Sequence, residues 1–215
     1  MNQVVNAVDL VVLVADKDLE EAVQALLVRT GDLKLRPFRF EVRRHPNRDG
    51  GCRTGAANFL RPFLQRYRRS LVLFDRDGCG SSRSRTEIQR EVDADLARNG
   101  WASRTKAIVI EPELEAWVWG DLAQASRTLG WGEDAAGLRR CLRSRDLWEP
   151  RRPKPSDPKK AMRAAMECAP PGRRRKRSAR VFREIAGSTP VESCRDPAFS
   201  DLRSVLQAWF PAKRT

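Results

Sequence analysis

Short apolar runs alternate with amphipathic stretches over the first half of the chain, and the spacing within each predicts its element. Residues 8–15 form a nearly continuous apolar run, the pattern of a strand buried on both faces of a parallel sheet. Residues 18–29 place Leu19, Val23, Leu26 and Leu27 at helical spacing. Residues 38–42 alternate as a second strand, and 45–55, rich in Asn, Asp, Arg and Gly, reads as a loop. Residues 56–67 read as a helix with Phe59, Leu60, Phe63 and Leu64 inward. The run Ser70–Phe74 then ends in Asp75-Arg76-Asp77-Gly78, a third strand closed by two carboxylates. A helix over 84–99, with Ile88, Val92 and Leu96 as its stripe, leads to a fourth strand over 105–110. Glu111 to Trp119 begins as a strand end and continues as a helix.

Strand–helix alternation of this kind predicts an α/β fold built on a mainly parallel sheet flanked by helices. After about Gly120 the strand signals stop. Helical patterns remain over 135–144, 158–167, 179–186 and 199–209, separated by proline-rich and basic segments. This predicts an α/β domain over 1–120 and a basic helical extension over 121–215 packed on it.

Charge adds a partner class. Lys and Arg number 42 against 28 Asp and Glu, a formal net charge of +14, which favours a polyanion, nucleic acid first. No apolar segment is long enough to span a bilayer, and Leu10 to Ala15 is too short for a signal peptide, so a cytoplasmic protein without membrane partners is expected. Five cysteines, an odd number with no C-x-x-C, argue against a disulfide framework or a zinc site. The single histidine, His45, argues against a His-based metal cluster or a Ser-His-Asp triad.

The candidate chemistry is carboxylate chemistry. Ligands of parallel sheets bind beyond the carboxyl ends of the strands. Three acidic groups stand at such ends: Asp16, Asp18 and Glu20; Asp75 and Asp77; and Glu111, Glu113 and Glu115. Converging carboxylates repel one another unless a cation lies between them, and oxygen-only ligation suits Mg²⁺ or Mn²⁺. Gly78 lets the chain turn away from such a site. Each group also has an ordinary explanation, because acids favour first helical turns, and Asp and Gly favour turns. Two basic groups could hold phosphates: Arg43, Arg44, Arg48 and Arg53 after the second strand, and the block Arg173, Arg174, Arg175, Lys176 and Arg177. Five adjacent like charges are expected to stay exposed. Trp117, Trp119, Trp131, Trp148 and Trp209 are expected as core or interface anchors.

Four stretches together, Val42–Phe63, Val72–Gly80, Ile108–Trp119 and Asp196–Phe210, resemble TOPRIM-like proteins, above all the small OLD-nuclease-related proteins of bacterial anti-phage defence loci such as methylation-associated defence systems. The resemblance implies a Mg²⁺-dependent nuclease. Asp75, Asp77 and the Glu111, Glu113 and Glu115 group would be metal ligands, Asp16 or Glu20 would complete the site or act as base, and Lys159 or Lys154 would steady transition-state charge. It also implies a partner ATPase or other subunit, or self-association. The family usually carries Glu-Gly after its first strand, where this chain has Ala15-Asp16, so a catalytically degenerate nucleic-acid-binding or assembly subunit is the alternative. Asp-Arg-Asp-Gly also resembles the first motif of haloacid-dehalogenase phosphatases, with Asp75 as nucleophile.

Overall fold

A computed structural model describes residues 8–212; residues 1–7 and 213–215, the outer ends of the two expected domains, lie outside the described residues. The protein is α/β. Strands β1 (Val8–Val14), β2 (Phe40–Arg44), β3 (Tyr67–Asp75) and β4 (Thr105–Ile110) form one parallel sheet in the order β2-β1-β3-β4. The register pairs Val14 with both Arg44 and Leu73, and Asp75 with Ile110, so the carboxyl ends of all four strands meet along one edge.

Both faces of the sheet are covered, which is why β1, β3 and β4 carry unbroken apolar runs, while β2, at the sheet's edge, is only partly buried and alternates. Leu10, Val12, Val14, Leu71, Leu73, Ile108 and Ile110 point into one core, together with helix α1 (Lys17–Leu27). Val11, Leu13, Val72, Phe74, Ala107 and Val109 point into the other, under α2 (Arg48–Leu60) and α3 (Arg85–Leu96). The β1–α1–β2 unit runs one way from the centre and the later strands run the other. The order therefore reverses between β1 and β3, the place where open α/β sheets bind their ligands.

Beyond β4 come α4 (Glu115–Val118), α5 (Leu122–Thr128), α6 (Ala135–Arg143), α7 (Pro158–Cys168), α8 (Ala179–Ser188) and α9 (Pro197–Trp209). Residues of these helices share a continuous core with α1 and its face of the sheet. Tryptophan N–H groups stitch the layer: Trp117 donates to Asp196, Trp119 to the Pro158 carbonyl, Trp131 to Ala165 and Trp148 to Arg152.

The structure departs from the sequence reading in four places. Residues 45–55 are not a loop, since α2 starts at Arg48. Two of its glycines serve close packing: a Cβ on Gly51 would stand 2.0 Å from His45 Nδ1, and one on Gly55 3.0 Å from His45 Nε2. The helix expected over 56–67 stops at Leu60, and a short 3₁₀ turn leads into β3 at Tyr67. Helix α5, capped by Asp121, has no counterpart in the periodicity reading. Finally, Cys141 and Cys168 form a disulfide, against expectation. The two cysteines lie on α6 and α7, which pack together, a proximity that a separation of 27 residues does not reveal. Cys52, Cys79 and Cys194 are free and buried. Among the described residues no helix is long and apolar enough to cross a membrane.

Candidate functional site

The reversal point carries an acidic cleft of roughly 880 Å³, counting its solvent-filled mouth. Seven carboxylates line it, from Asp16, Asp18, Asp49, Asp75, Asp77, Glu113 and Glu115, against three cations, from Arg48, Lys159 and Arg177. In a chain with a formal charge of +14 this is a local inversion of sign.

Each strand end delivers its part. Asp16, just past β1, caps α1 by accepting the Leu19 amide at 3.0 Å. Asp18 follows in the first turn of α1, where the helix dipole favours an anion. Asp75 ends β3, its backbone N–H donating to Asp49 Oδ1 at 2.9 Å, while its own Oδ1 is buried with no hydrogen-bond partner. Burial, reinforced by the charge of Asp49, holds the Asp75 carboxyl well above the usual carboxylate range. Burial likewise raises Asp49. Asp77, with 61% of its side chain exposed, stands at the rim, and Gly78 turns the chain away at φ 92°. Such a φ is in the region that glycine reaches without steric cost.

The β4 end supplies Glu113 and Glu115, and both are met by cations from the helical half. Lys159, in the first turn of α7, donates to Glu113 Oε2 at 2.6 Å. Its position follows from the Trp119 bond to Pro158, which fixes the start of α7 beside α4. Burial raises the Glu113 carboxyl, partly offset by Lys159, while that bond raises the Lys159 ammonium. Arg177, just before α8, bridges Glu115 at 2.8 Å and Asp18 at 2.7 Å. Glu115 is 2% exposed, so its charge has little access to water and depends on this pairing. Asp18 is raised by burial, with Arg177 opposing.

Several sequence candidates lie elsewhere. Glu20 pairs with Lys17 and Arg44, and Glu111 with Arg76; neither lines the cleft. Arg43 pairs with Glu41 and lies over Phe63. Arg53 donates to the Cys79 carbonyl and pairs with Glu91. Lys154 pairs with Asp196. Arg44 and Arg48 line a pocket with Lys17 and His45 that adjoins the cleft through Asp16 and Arg48. The block 173–177 is largely exposed yet anchored: Arg174 donates to the Ala169 carbonyl, Arg175 pairs with Glu184, and Arg177 enters the cleft. Asp49 was not among the sequence candidates. The signal for it was the spacing of Cys52, Ala56, Ala57 and Leu60, which continues a helix through the glycines and places Asp49 in its first turn.

The donors are all hard oxygens, and the buried, unpartnered Asp75 Oδ1 is an atom that a divalent cation would satisfy, so the residues suit Mg²⁺ or Mn²⁺. As arranged, no three His, Cys, Asp or Glu side chains among the described residues converge closely enough to hold an ion. The ion pairs give a physical reason, since Lys159 and Arg177 already hold Glu113, Glu115 and Asp18. No protein-family model, curated protein or solved structure matches the chain.

Proposed function

We propose that the chain is a Mg²⁺- or Mn²⁺-dependent phosphodiesterase of TOPRIM-like type that cleaves nucleic acid, and, following the resemblance, that it is the nuclease component of an anti-phage defence system. The observation that carries the reading is Asp75: a half-buried carboxylate whose Oδ1 is buried without a partner, at the sheet's reversal point, among six further carboxylates in an otherwise cationic chain. A buried charge without a partner costs stability, and such a cost is characteristic of sites kept for function.

A divalent cation in this cleft supplies charge neutralisation at the phosphate and a polarised water. Asp75, with Asp77 at the rim and Glu113 or Glu115, would hold it. Asp49 positions Asp75 through the backbone amide. Asp16 stands at the end of β1, where a carboxylate can accept a proton from the attacking water. Lys159 faces the cleft and can meet the charge that develops on the phosphate oxygens. His45 Nδ1 accepts the Asn47 amide and lies outside the cleft, so proton transfer there rests on carboxylates.

The test is cleavage of plasmid DNA and of structured RNA by the full chain with Mg²⁺ or Mn²⁺, beside Asp75→Asn. Metal-dependent cleavage that falls at least about 10²-fold in the variant supports the reading, since removing one group that stabilises a transition state costs about 10²–10³. Cleavage by neither protein, with nucleic acid bound by both, would establish the alternative of a binding subunit with a degenerate site. Turnover of phosphomonoesters through a phospho-aspartate at Asp75 would establish the phosphatase.

A further inference from the structure

Beside the acidic cleft lies a groove of mainly opposite sign, lined by Arg163, Met166 and Glu167 of α7 and by Arg174, Arg175, Lys176 and Arg177; its one acid, Glu167, is paired with Arg145 outside the groove. The two share one side chain, Arg177. Its guanidinium holds Glu115 and Asp18, yet 35% of the side chain is exposed, so it can be reached from the groove. Arg163, Arg174 and Lys176 are exposed. Among the described residues, Arg163 and Lys176 form no ion pair. Cations left without carboxylate partners along a groove are the arrangement that receives a row of phosphates.

We infer that the groove takes a nucleic-acid backbone and that Arg177 is an exchangeable counter-ion between it and the cleft. With no polyanion present, Arg177 neutralises Glu115 and Asp18 and keeps the carboxylates from forming a cation site. A phosphodiester entering between Lys176 and Arg163 offers the guanidinium a bidentate pair of oxygens, held in place by the neighbouring cations. When Arg177 moves to the phosphate, Glu115 and Asp18 are left without a counter-ion beside Asp75, and a divalent cation becomes their partner. Nucleic acid and cation therefore bind cooperatively, and the ligand set forms only when there is a phosphate to act on. This accounts for a cleft that has the chemistry of a cation site without its convergence. The inference rests on the proposed cation-dependent reading and adds to it the surface that the substrate follows and the residue that couples the two.

Coupling between two ligands is reciprocal and ordinarily amounts to 5–150-fold in affinity. The experiment measures uptake of Mn²⁺ by the full chain, from the electron paramagnetic resonance of the free ion, alone and with a phosphorothioate oligonucleotide whose own uptake is subtracted. The wild type is expected to bind Mn²⁺ weakly alone and about tenfold more tightly with the oligonucleotide. Arg177→Gln is expected to bind Mn²⁺ about tenfold more tightly than wild type without nucleic acid and to gain nothing from it, and Arg177→Lys, which keeps the charge, to return toward wild type. Lys176→Gln with Arg163→Gln is expected to weaken the oligonucleotide and leave Mn²⁺ alone unchanged. Equal Mn²⁺ affinity in Arg177→Gln and wild type overturns the inference. Asp75→Asn separates the two levels. If it abolishes Mn²⁺ uptake while Arg177→Gln changes nothing, only the exchange fails; if it leaves uptake intact, the cleft is not the cation site and the parent reading fails with it.

Discussion

The acidic cleft and the charged surface around it treat carboxylates in opposite ways. On the surface, arginine is in excess and acids are shared between cations: Glu91 meets both Arg53 and Arg83, and Glu21 meets both Lys17 and Arg183. In the cleft the proportion reverses. Seven acids face three cations, two of the acids are held by one arginine, and Asp75 keeps a buried oxygen without any partner. A surface of shared pairs changes little when one member is lost. A cleft short of counter-charge stores unfavourable energy that a bound cation or phosphate can release. The comparison separates carboxylates that solubilise from carboxylates that wait for a ligand.

The largest effect expected within this comparison is on turnover. Lys159 and Arg83 are both partly exposed cations paired with an acid, but only Lys159 faces the cleft. Lys159→Met is expected to lower metal-dependent cleavage by roughly 10²–10³-fold, the ordinary cost of losing one group aimed at developing charge. Arg83→Met is expected to leave it within about twofold. Initial rates on one labelled substrate check both, and equal losses would erase the distinction.

A smaller effect, of opposite sign, is expected on stability. Burial and Asp49 raise the Asp75 carboxyl. A carboxyl raised in the folded state binds its proton more tightly there than in the unfolded chain. Its contribution to stability is present at low pH and is lost as pH rises from the unfolded pKa, near 3.9, through the folded one. Asp75→Asn removes that loss. The variant is expected to be more stable than wild type by about 1 kcal/mol at pH 8, within the range common when a strained functional group is relieved, with the advantage shrinking toward pH 5. Urea midpoints at the two pH values measure it. A variant less stable at both would show that Asp75 is structural.

How much of this the sequence disclosed follows the same division. β4 was legible to the residue, and β1 to within one, because strands buried on both faces leave no polar positions to confuse the pattern. The strand-end rule brought out Asp16, Asp75, Asp77, Glu113 and Glu115, since a parallel sheet gathers its carboxyl ends whatever covers its faces. Asp49 stayed hidden because Gly50, Gly51 and Gly55 resemble a loop, whereas Gly51 makes room for His45 under a helix. Glu20 and Glu111 resembled their neighbours in sequence, and only side-chain direction sends them to Arg44 and Arg76. Arg177 was read with the phosphate-binding block. Its contact with Glu115, 62 residues away, depends on α8 packing against α1, where Arg183 also meets Glu21. Long-range pairing of this kind, like the Cys141–Cys168 bond, leaves no local periodicity to read.

The smallest effect tests the surface half of the comparison. Arg83 is 64% exposed, and its partner Glu91 keeps Arg53 when Arg83 is removed. Exposed pairs contribute 0–1 kcal/mol, because water and salt already screen the charges and holding two long side chains costs entropy. Arg83→Ala is therefore expected to shift stability by less than about 0.5 kcal/mol at neutral pH, and adding 0.5 M salt to leave that difference unchanged within error. Urea titration of wild type and variant at low and high salt measures it. A loss above about 1 kcal/mol that salt removes would mean that Glu91 depends on both arginines. The surface would then be as finely balanced as the cleft, and charge imbalance alone would no longer single out Asp75 and its neighbours as the place where this protein binds its ligand.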